Sequence, residues 1–187
     1  MRTLYVTEFI SLDGVVEAPG GEEGYRHSGW TFDIEEDPAR NEFKVEETFA
    51  TQTLLLGRTT YEGFAAAWPE RDGEFADKFN TMEKVVVSTT LNDPTWHNTT
   101  VVRDLDAVRA LKERDGGPIA VHGSATLARA LHHSGLVDQW NLMVFPVILG
   151  SGKRLFPTDT EDKQKLTLRE TRTFTNGIQL SIYETRC

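Results

Sequence analysis

The sequence predicts an α/β protein: a largely parallel sheet with helices on both faces, finished by an antiparallel hairpin. Three observations predict it. Short leucine-rich and β-branched runs alternate along the chain with segments of helical periodicity, the pattern of a parallel sheet covered on both sides. The last two runs are separated only by Thr175-Asn176-Gly177, and an Asn-Gly step adopts the positive φ that a tight turn between antiparallel strands requires. No Pro/Gly/Ser-rich linker, internal repeat or low-complexity run divides the 187 residues. One domain over 1–187 is therefore expected, long enough to bury roughly 70% of the surface its unfolded chain exposes.

In chain order, strands are expected at Leu4 to Ile10, Thr53 to Leu56, Lys84 to Ser88, Thr99 to Val102, Pro118 to Val121, Gln139 to Val147, Lys165 to Thr173 and Ile178 to Tyr183, because these short runs are apolar and rich in β-branched residues. Helices are expected at Ala39 to Ala50, Thr60 to Ala67, Glu74 to Asn80, Leu105 to Arg114 and Ala125 to His133; in the last, Leu127, Ala130 and Leu131 share one face. Residues Glu17 to Asp37, rich in Gly and charge, read as a mobile surface segment where a lid over a site is expected.

Composition narrows the partners. Hydrophobic residues at 39% and charged residues at 26% are globular proportions. A formal net charge of −9 argues against a general nucleic-acid or anionic-membrane binder, which needs clustered Lys and Arg. The single cysteine, Cys187, rules out an internal disulfide and suggests a reducing, cytoplasmic setting. The N-terminal "MRTLYVTEFISLDG" alternates apolar with polar residues, unlike the apolar core of an export signal. No apolar run approaches the roughly 18 residues of a membrane helix.

Chemistry concentrates at three strand ends with similar punctuation: Gly57-Arg58-Thr59-Thr60 after "LLL", Ser88-Thr89-Thr90 after "KVVV", and His122-Gly123-Ser124-Ala125-Thr126 after "IAV". Ligands of open α/β sheets bind where the carboxyl ends of strands meet helix starts. Taken singly, Thr59 or Ser124 can be an N-cap and Gly57 or Gly123 a turn residue. Together, with Arg58 beside unpaired helix N–H groups, they suit a phosphorylated, elongated ligand: a dinucleotide with an extra phosphate.

Other motifs fail. In "GSGKR", the P-loop comparison puts Val147 where the first Gly belongs and Arg154 where Ser or Thr belongs. No G-x-G-x-x-G or G-x-S-x-G occurs. The histidines His27, His97, His122, His132 and His133 show no metal-ligand spacing, so no metal is expected.

"SLDGVV", "LLLGRTTYEGF", "VVVSTTL", "AVHGSATLARAL" and "VFPVILGSGKRLF" together resemble, over nearly the whole chain, the dihydrofolate reductase-like proteins of the riboflavin-biosynthesis reductase domain type. The resemblance implies that family's three-layer fold with an eight-stranded, mostly parallel sheet. It implies NADPH as cofactor, with Gly57, Arg58, Thr59, Thr60, Ser88, Thr89, Gly123, Ser124, Ala125 and Thr126 around its phosphates. Asp13-Gly14 matches the family's S-x-D-G element at the nicotinamide and substrate, so Asp13 becomes the catalytic candidate; a plain Asp-Gly turn is the alternative. Trp30, Phe32 and Phe43 are candidates for a flat apolar pocket, with core or lid packing as the alternative. The family's folate-binding carboxylate position falls on Asn41, with Glu42 beside it, so dihydrofolate is expected to be a poor substrate.

The expected function is NADPH-dependent hydride transfer to a small heterocyclic substrate of the aminopyrimidine type. The alternative is a non-catalytic NADPH-binding or regulatory protein. A homodimer is also expected, from the apolar run Leu142 to Leu149 before Gly150-Ser151-Gly152 and from the resemblance.

Overall fold

The computed structural model of the chain describes residues 1–156 and 163–185; Cys187 lies outside them. The strands are β1 (Leu4–Ser11), β2 (Thr53–Gly57), β3 (Glu83–Val87), β4 (Thr99–Val102), β5 (Ile119–His122), β6 (Gln139–Phe145), β7 (Leu166–Thr173) and β8 (Gln179–Thr185). The helices are α1 (Pro38–Ala50), α2 (Arg58–Ala67), α3 (Glu74–Thr81), α4 (Leu105–Glu113) and α5 (Ala125–His133). One eight-stranded sheet runs in the order β4-β3-β2-β5-β1-β6-β8-β7. Strands β1 to β6 are parallel, and β8 pairs antiparallel with both β6 and β7. The expected fold is the one observed.

Alternation along each strand sends side chains to two faces. Leu4, Val6, Ile10, Leu55, Val85 and Val121 pack with Val108 and Leu111 of α4 and with Leu127, Ala128 and Leu131 of α5. On the opposite face, Leu54, Leu56 and Val86 meet Tyr61 of α2 and Phe79 of α3, while Met143 and Phe145 meet Phe43 of α1. Helix α1 starts sharply because Asp37 caps the N–H groups of Ala39 and Arg40 and Pro38 sits in the first turn. The other oxygen of Asp37 accepts from Thr175 N at 2.8 Å, fastening α1 to the hairpin turn.

That turn is wider than an Asn-Gly turn of two residues. Strand pairing stops at Thr173↔Gln179, the loop closes through Phe174 N to Ile178 O at 2.9 Å, and of the Asn-Gly pair only Gly177 takes positive φ, at 84°. Asn176 instead accepts from Ile178 N at 3.2 Å.

The Glu17 to Asp37 segment is anchored. Trp30 is 2% exposed, packs edge-on against Phe145 at 5.3 Å and donates from Nε1 to Glu17 O at 2.8 Å. Phe43 is also core, at 7% exposure. Of the three aromatics considered for a pocket, only Phe32 stands out from the surface, 74% exposed. The apolar run Leu142 to Leu149 is mainly the interior strand β6; beyond it Ile148 is 71% exposed, close to the equally bare Leu12 at 65%, whose N–H bonds Val147 O at 2.8 Å.

Candidate active site

Strand β5 stops short of both neighbours. Its last pair with β1 is Thr7↔His122 and with β2 is Leu55↔Val121, whereas β1 runs on beside β6 to Ser11↔Phe145 and β2 beside β3 to Gly57↔Val87. The result is a notch one strand wide at the carboxyl edge of the sheet. Glu8 to Ser11 form one wall, the end of β2 and the start of α2 the other, and His122-Gly123-Ser124 the floor. Crossovers leave β2 and β5 in opposite directions here, which is where open α/β sheets bind ligands.

Two helices begin at the notch with no side-chain cap: α2 after Gly57 and α5 after Ser124. Ser124 does not cap its own helix. Its Oγ accepts from Gly57 N at 3.0 Å, while Ser124 N donates to Thr60 Oγ1 at 3.1 Å, so the two turns are stapled together and the first-turn N–H groups stay available to an anion. Gly123 (φ 57°) and Ser124 (φ 58°) are both left-handed, and a Cβ on Gly123 would lie 3.3 Å from Thr60 Cγ2. Glycine is needed there. At Gly57 an added Cβ would meet nothing nearer than 3.7 Å, so its lack of a side chain is no packing requirement.

The strand-end residues do not behave alike. Thr59, Thr89 and Thr126 are exposed, and Ala125 is buried against the sheet. Arg58 is exposed and paired with Glu62 one turn on, at 3.0 Å with both side chains 49% exposed; such a pair is weak enough for a phosphate to displace. Ser88 is buried, its Oγ accepting from Thr90 N at 3.2 Å and Leu91 N at 3.0 Å, so the hydroxyl shapes its own loop. Sequence reasoning missed Arg103, at the end of β4, which donates to Ser88 O and Leu91 O, both at 2.8 Å. A cation directly after a strand was the available signal.

Asp13 is engaged throughout. It accepts from Ser11 Oγ (2.7 Å), Leu149 N (3.1 Å) and Gly150 N (2.9 Å), and Arg154 binds its carbonyl and stands 3.7 Å from its carboxylate. Burial works to raise its pKa, but the hydrogen bonds from Ser11, Leu149 and Gly150 prevail and hold it at about 2. Asp13 is an ionised clamp joining the Ser11–Gly14 turn, in which Gly14 takes φ 85°, to the 149–154 loop.

On the α1 face below the notch lies a polar cluster that the motifs did not reveal. Thr7, His122 and Asn141 form one row across β1, β5 and β6. Glu47 of α1 accepts from Asn141 Nδ2 at 2.6 Å and Thr7 Oγ1 at 3.1 Å and pairs with Lys44, which also reaches Thr7 Oγ1 at 2.9 Å. Burial alone would raise the pKa of Glu47; the Lys44 charge and these hydrogen bonds bring it below the ordinary value. Burial and Lys44 drive His122 down to about 3, so it is a neutral imidazole. The acid that α1 turns toward the sheet is thus Glu47. Asn41 instead has its Oδ1 held by Arg40 Nε and Nη2 at 3.1 and 2.6 Å, and Glu42 faces outward.

The RibD C-terminal domain model matches residues 2–180. The chain belongs to the RibD C-terminal domain family. This is a family of the reductase type, in keeping with the notch. Two uncharacterized proteins of Bacillus subtilis (strain 168) are similar over nearly full length: YyaP, 28% identical over 189 residues with 97% of this chain and 94% of YyaP covered, and YwjB, 28% over 181 residues with 95% and 94% covered. Among solved structures, a Shewanella sp. PV-4 protein assigned to riboflavin biosynthesis superposes with a TM-score of 0.77 at 16% identity over 99% of both chains. A pyrimidine reductase-like protein from Corynebacterium diphtheriae superposes with 0.69 at 15% identity over 99% of this chain and 92% of its own. These two likenesses establish the fold shared with this RibD C-terminal domain. Among the described residues, no helix is long and apolar enough to cross a membrane.

Proposed function

We propose that this RibD C-terminal domain is an NADPH-dependent reductase acting on a small heterocyclic substrate of the aminopyrimidine type. The observation that carries the reading is the notch: two uncapped helix starts, stapled through Gly57, Thr60 and Ser124, converge on it. The first-turn N–H groups of α5 and the left-handed Gly123-Ser124 pair suit a pyrophosphate, while Arg58, with Arg103 nearby on the same sheet edge, supplies the charge for a further phosphate monoester. NADPH would contribute the hydride; the chain's part is to bind, orient and exclude water. The α1 side of the notch offers a neutral His122 and the Lys44 ammonium, a polar floor suited to the oxo and amino edge of a heterocycle. Asn41 carries no carboxylate, and Glu47, the acid that α1 turns toward the sheet, is taken up by Lys44, Thr7 and Asn141, so dihydrofolate is expected to be a poor substrate. A homodimer joined through the exposed Leu12 and Ile148 region, and a cytoplasmic setting, belong to the same proposal.

Fluorescence titration tests the cofactor reading. Arg58→Ala should weaken NADPH binding about 10- to 150-fold, corresponding to roughly 1.5 to 3 kcal/mol for a charge-assisted bond or two, and leave NADH unchanged. Equal losses for both cofactors refute the assignment of Arg58. The engagement of both Asp13 oxygens favours a second reading, an NADPH-binding protein without turnover. NADPH binding with no oxidation across pterins, pyrimidinones and simple carbonyls would select it.

A further inference from the structure

We propose that Lys44 anchors the substrate: its ammonium donates a hydrogen bond to the oxygen or nitrogen that takes up the electron pair as hydride arrives, so the site selects oxo-heterocycles, neutral or anionic, over cationic rings. The inference rests on the reductase reading above and names the substrate class that the notch serves. Helix α1 brings Lys44 to the β1 side of the notch. Its Nζ donates to Thr7 Oγ1 at 2.9 Å and to Glu47 Oε2, and lies 5.5 Å from the centroid of the Phe9 ring. Thr7 is the strand partner of His122 in the floor. Phe9, two residues on and therefore on the same face of β1, stands half-buried in the wall beyond the last pair with β5. An ammonium carries three N–H donors. Thr7 and Glu47 take two, and among the described residues no acceptor takes the third. The Lys44 side chain is 15% exposed, fixed by its partners yet open to a ligand.

Glu47 positions the cation. Its side chain is 4% exposed; Oε1 accepts from Asn141 Nδ2 at 2.6 Å, and Oε2 accepts from Thr7 Oγ1 at 3.1 Å and from Lys44. Both carboxylate oxygens are thus engaged within the protein. Thr7, Asn141 and the neutral His122 imidazole add no further charge to this floor, so Lys44 is the group that discriminates by charge. The Phe9 ring beside it suits a flat ring.

The step balances. The carbon of the substrate C=N or C=O bond takes hydride from the dihydronicotinamide, the π pair moves onto the heteroatom, and the heteroatom then takes a proton from water. Negative charge develops where the third Lys44 N–H is available, and a charge-assisted hydrogen bond strengthens there as the reaction proceeds. A ring that is already cationic meets a like charge instead.

Binding of barbiturate and of uracil to the NADPH complex, read by calorimetry, tests this. Both are flat oxo-pyrimidines; at neutral pH barbiturate is an anion and uracil is neutral. The wild type should bind barbiturate at least about 10-fold more tightly than uracil, and Lys44→Met should weaken barbiturate about 10- to 100-fold and uracil less. Glu47→Gln removes the opposing charge and should hold or tighten barbiturate binding. Should Lys44→Met not fold, Lys44→Gln, which keeps a donor without the charge, carries the same expectation, and the wild-type preference decides if neither folds. Barbiturate binding that is absent, no tighter than that of uracil, unchanged in Lys44→Met, or lost equally in Lys44→Met and Glu47→Gln overturns the inference; with NADPH bound, the reductase reading stands. If NADPH does not bind the wild type, the reductase reading fails and takes this inference with it.

Discussion

Glu8, whose side chain turns into the apolar layer under α5, makes a prediction about the apoprotein. Its pKa is raised from 4.5 to about 8 by burial, so the folded state holds the proton that the unfolded state gives up. The sign follows: the titration of the carboxyl adds no cost below about pH 4.5, where both states are largely protonated, and this pH-linked cost grows as pH rises to about 8, then levels off. Over the interval from 4.5 to 7, at about 1.4 kcal/mol per pH unit, the wild type loses about 3 kcal/mol. Glu8→Gln keeps the shape, leaves a comparable buried polar group, and removes the titration. In urea melts the variant should match the wild type near pH 4.5, exceed it by about 3 kcal/mol at pH 7, and hold its lead above pH 8, with similar m-values. A gap that does not change with pH would show that Glu8 is ionised in the folded protein, or reached by water, and would refute the reasoning.

Three further outcomes are expected. Asp13→Asn weakens the acceptor for Leu149 N and Gly150 N and should lower stability by about 1 to 2 kcal/mol without moving the pH profile of any NADPH oxidation; loss of the profile's acidic group would return Asp13 to catalysis. Lys84, fully buried, donates to Phe79 O, Asn80 O and Met82 O at 2.8 to 3.0 Å and lies over the Trp96 ring at 4.3 Å, so Lys84→Met should cost about 2 to 4 kcal/mol in chemical denaturation, and a loss below about 0.5 kcal/mol would dismiss its role at the end of α3. Dihydrofolate should be reduced slowly or not at all, because Asn41 carries no carboxylate and Glu47 is taken up by Lys44, Thr7 and Asn141, and the lack of a free acid–base group costs roughly 10² to 10⁴ in rate; a kcat/KM above about 10⁴ M⁻¹s⁻¹ would overturn this reading.

The sequence by itself determined the sheet, its hairpin and the strand-end turns, because these are local: β-branched runs, helix periodicity, a glycine where φ must be positive. It also singled out Gly123 and Ser124, which the fold places at the floor of the notch. Only the tertiary structure decided what each group does. Ser124 reads as an N-cap in the sequence, yet its hydroxyl serves Gly57 on another strand, a partner that sequence spacing cannot specify. Asp13 is the catalytic candidate of its motif, and the fold adds what the motif cannot show: backbone N–H groups from the distant 149–150 loop that hold its carboxylate. Glu8 and Glu47 are unremarkable letters in the text. Their contrast, one protonated and one ionised, comes from what folding packs around them: an apolar face of α5 and β6 for Glu8, and Lys44, Thr7 and Asn141 for Glu47. Charge state depends on the dielectric and the partners that distant segments bring, so it is settled by the packed sheet.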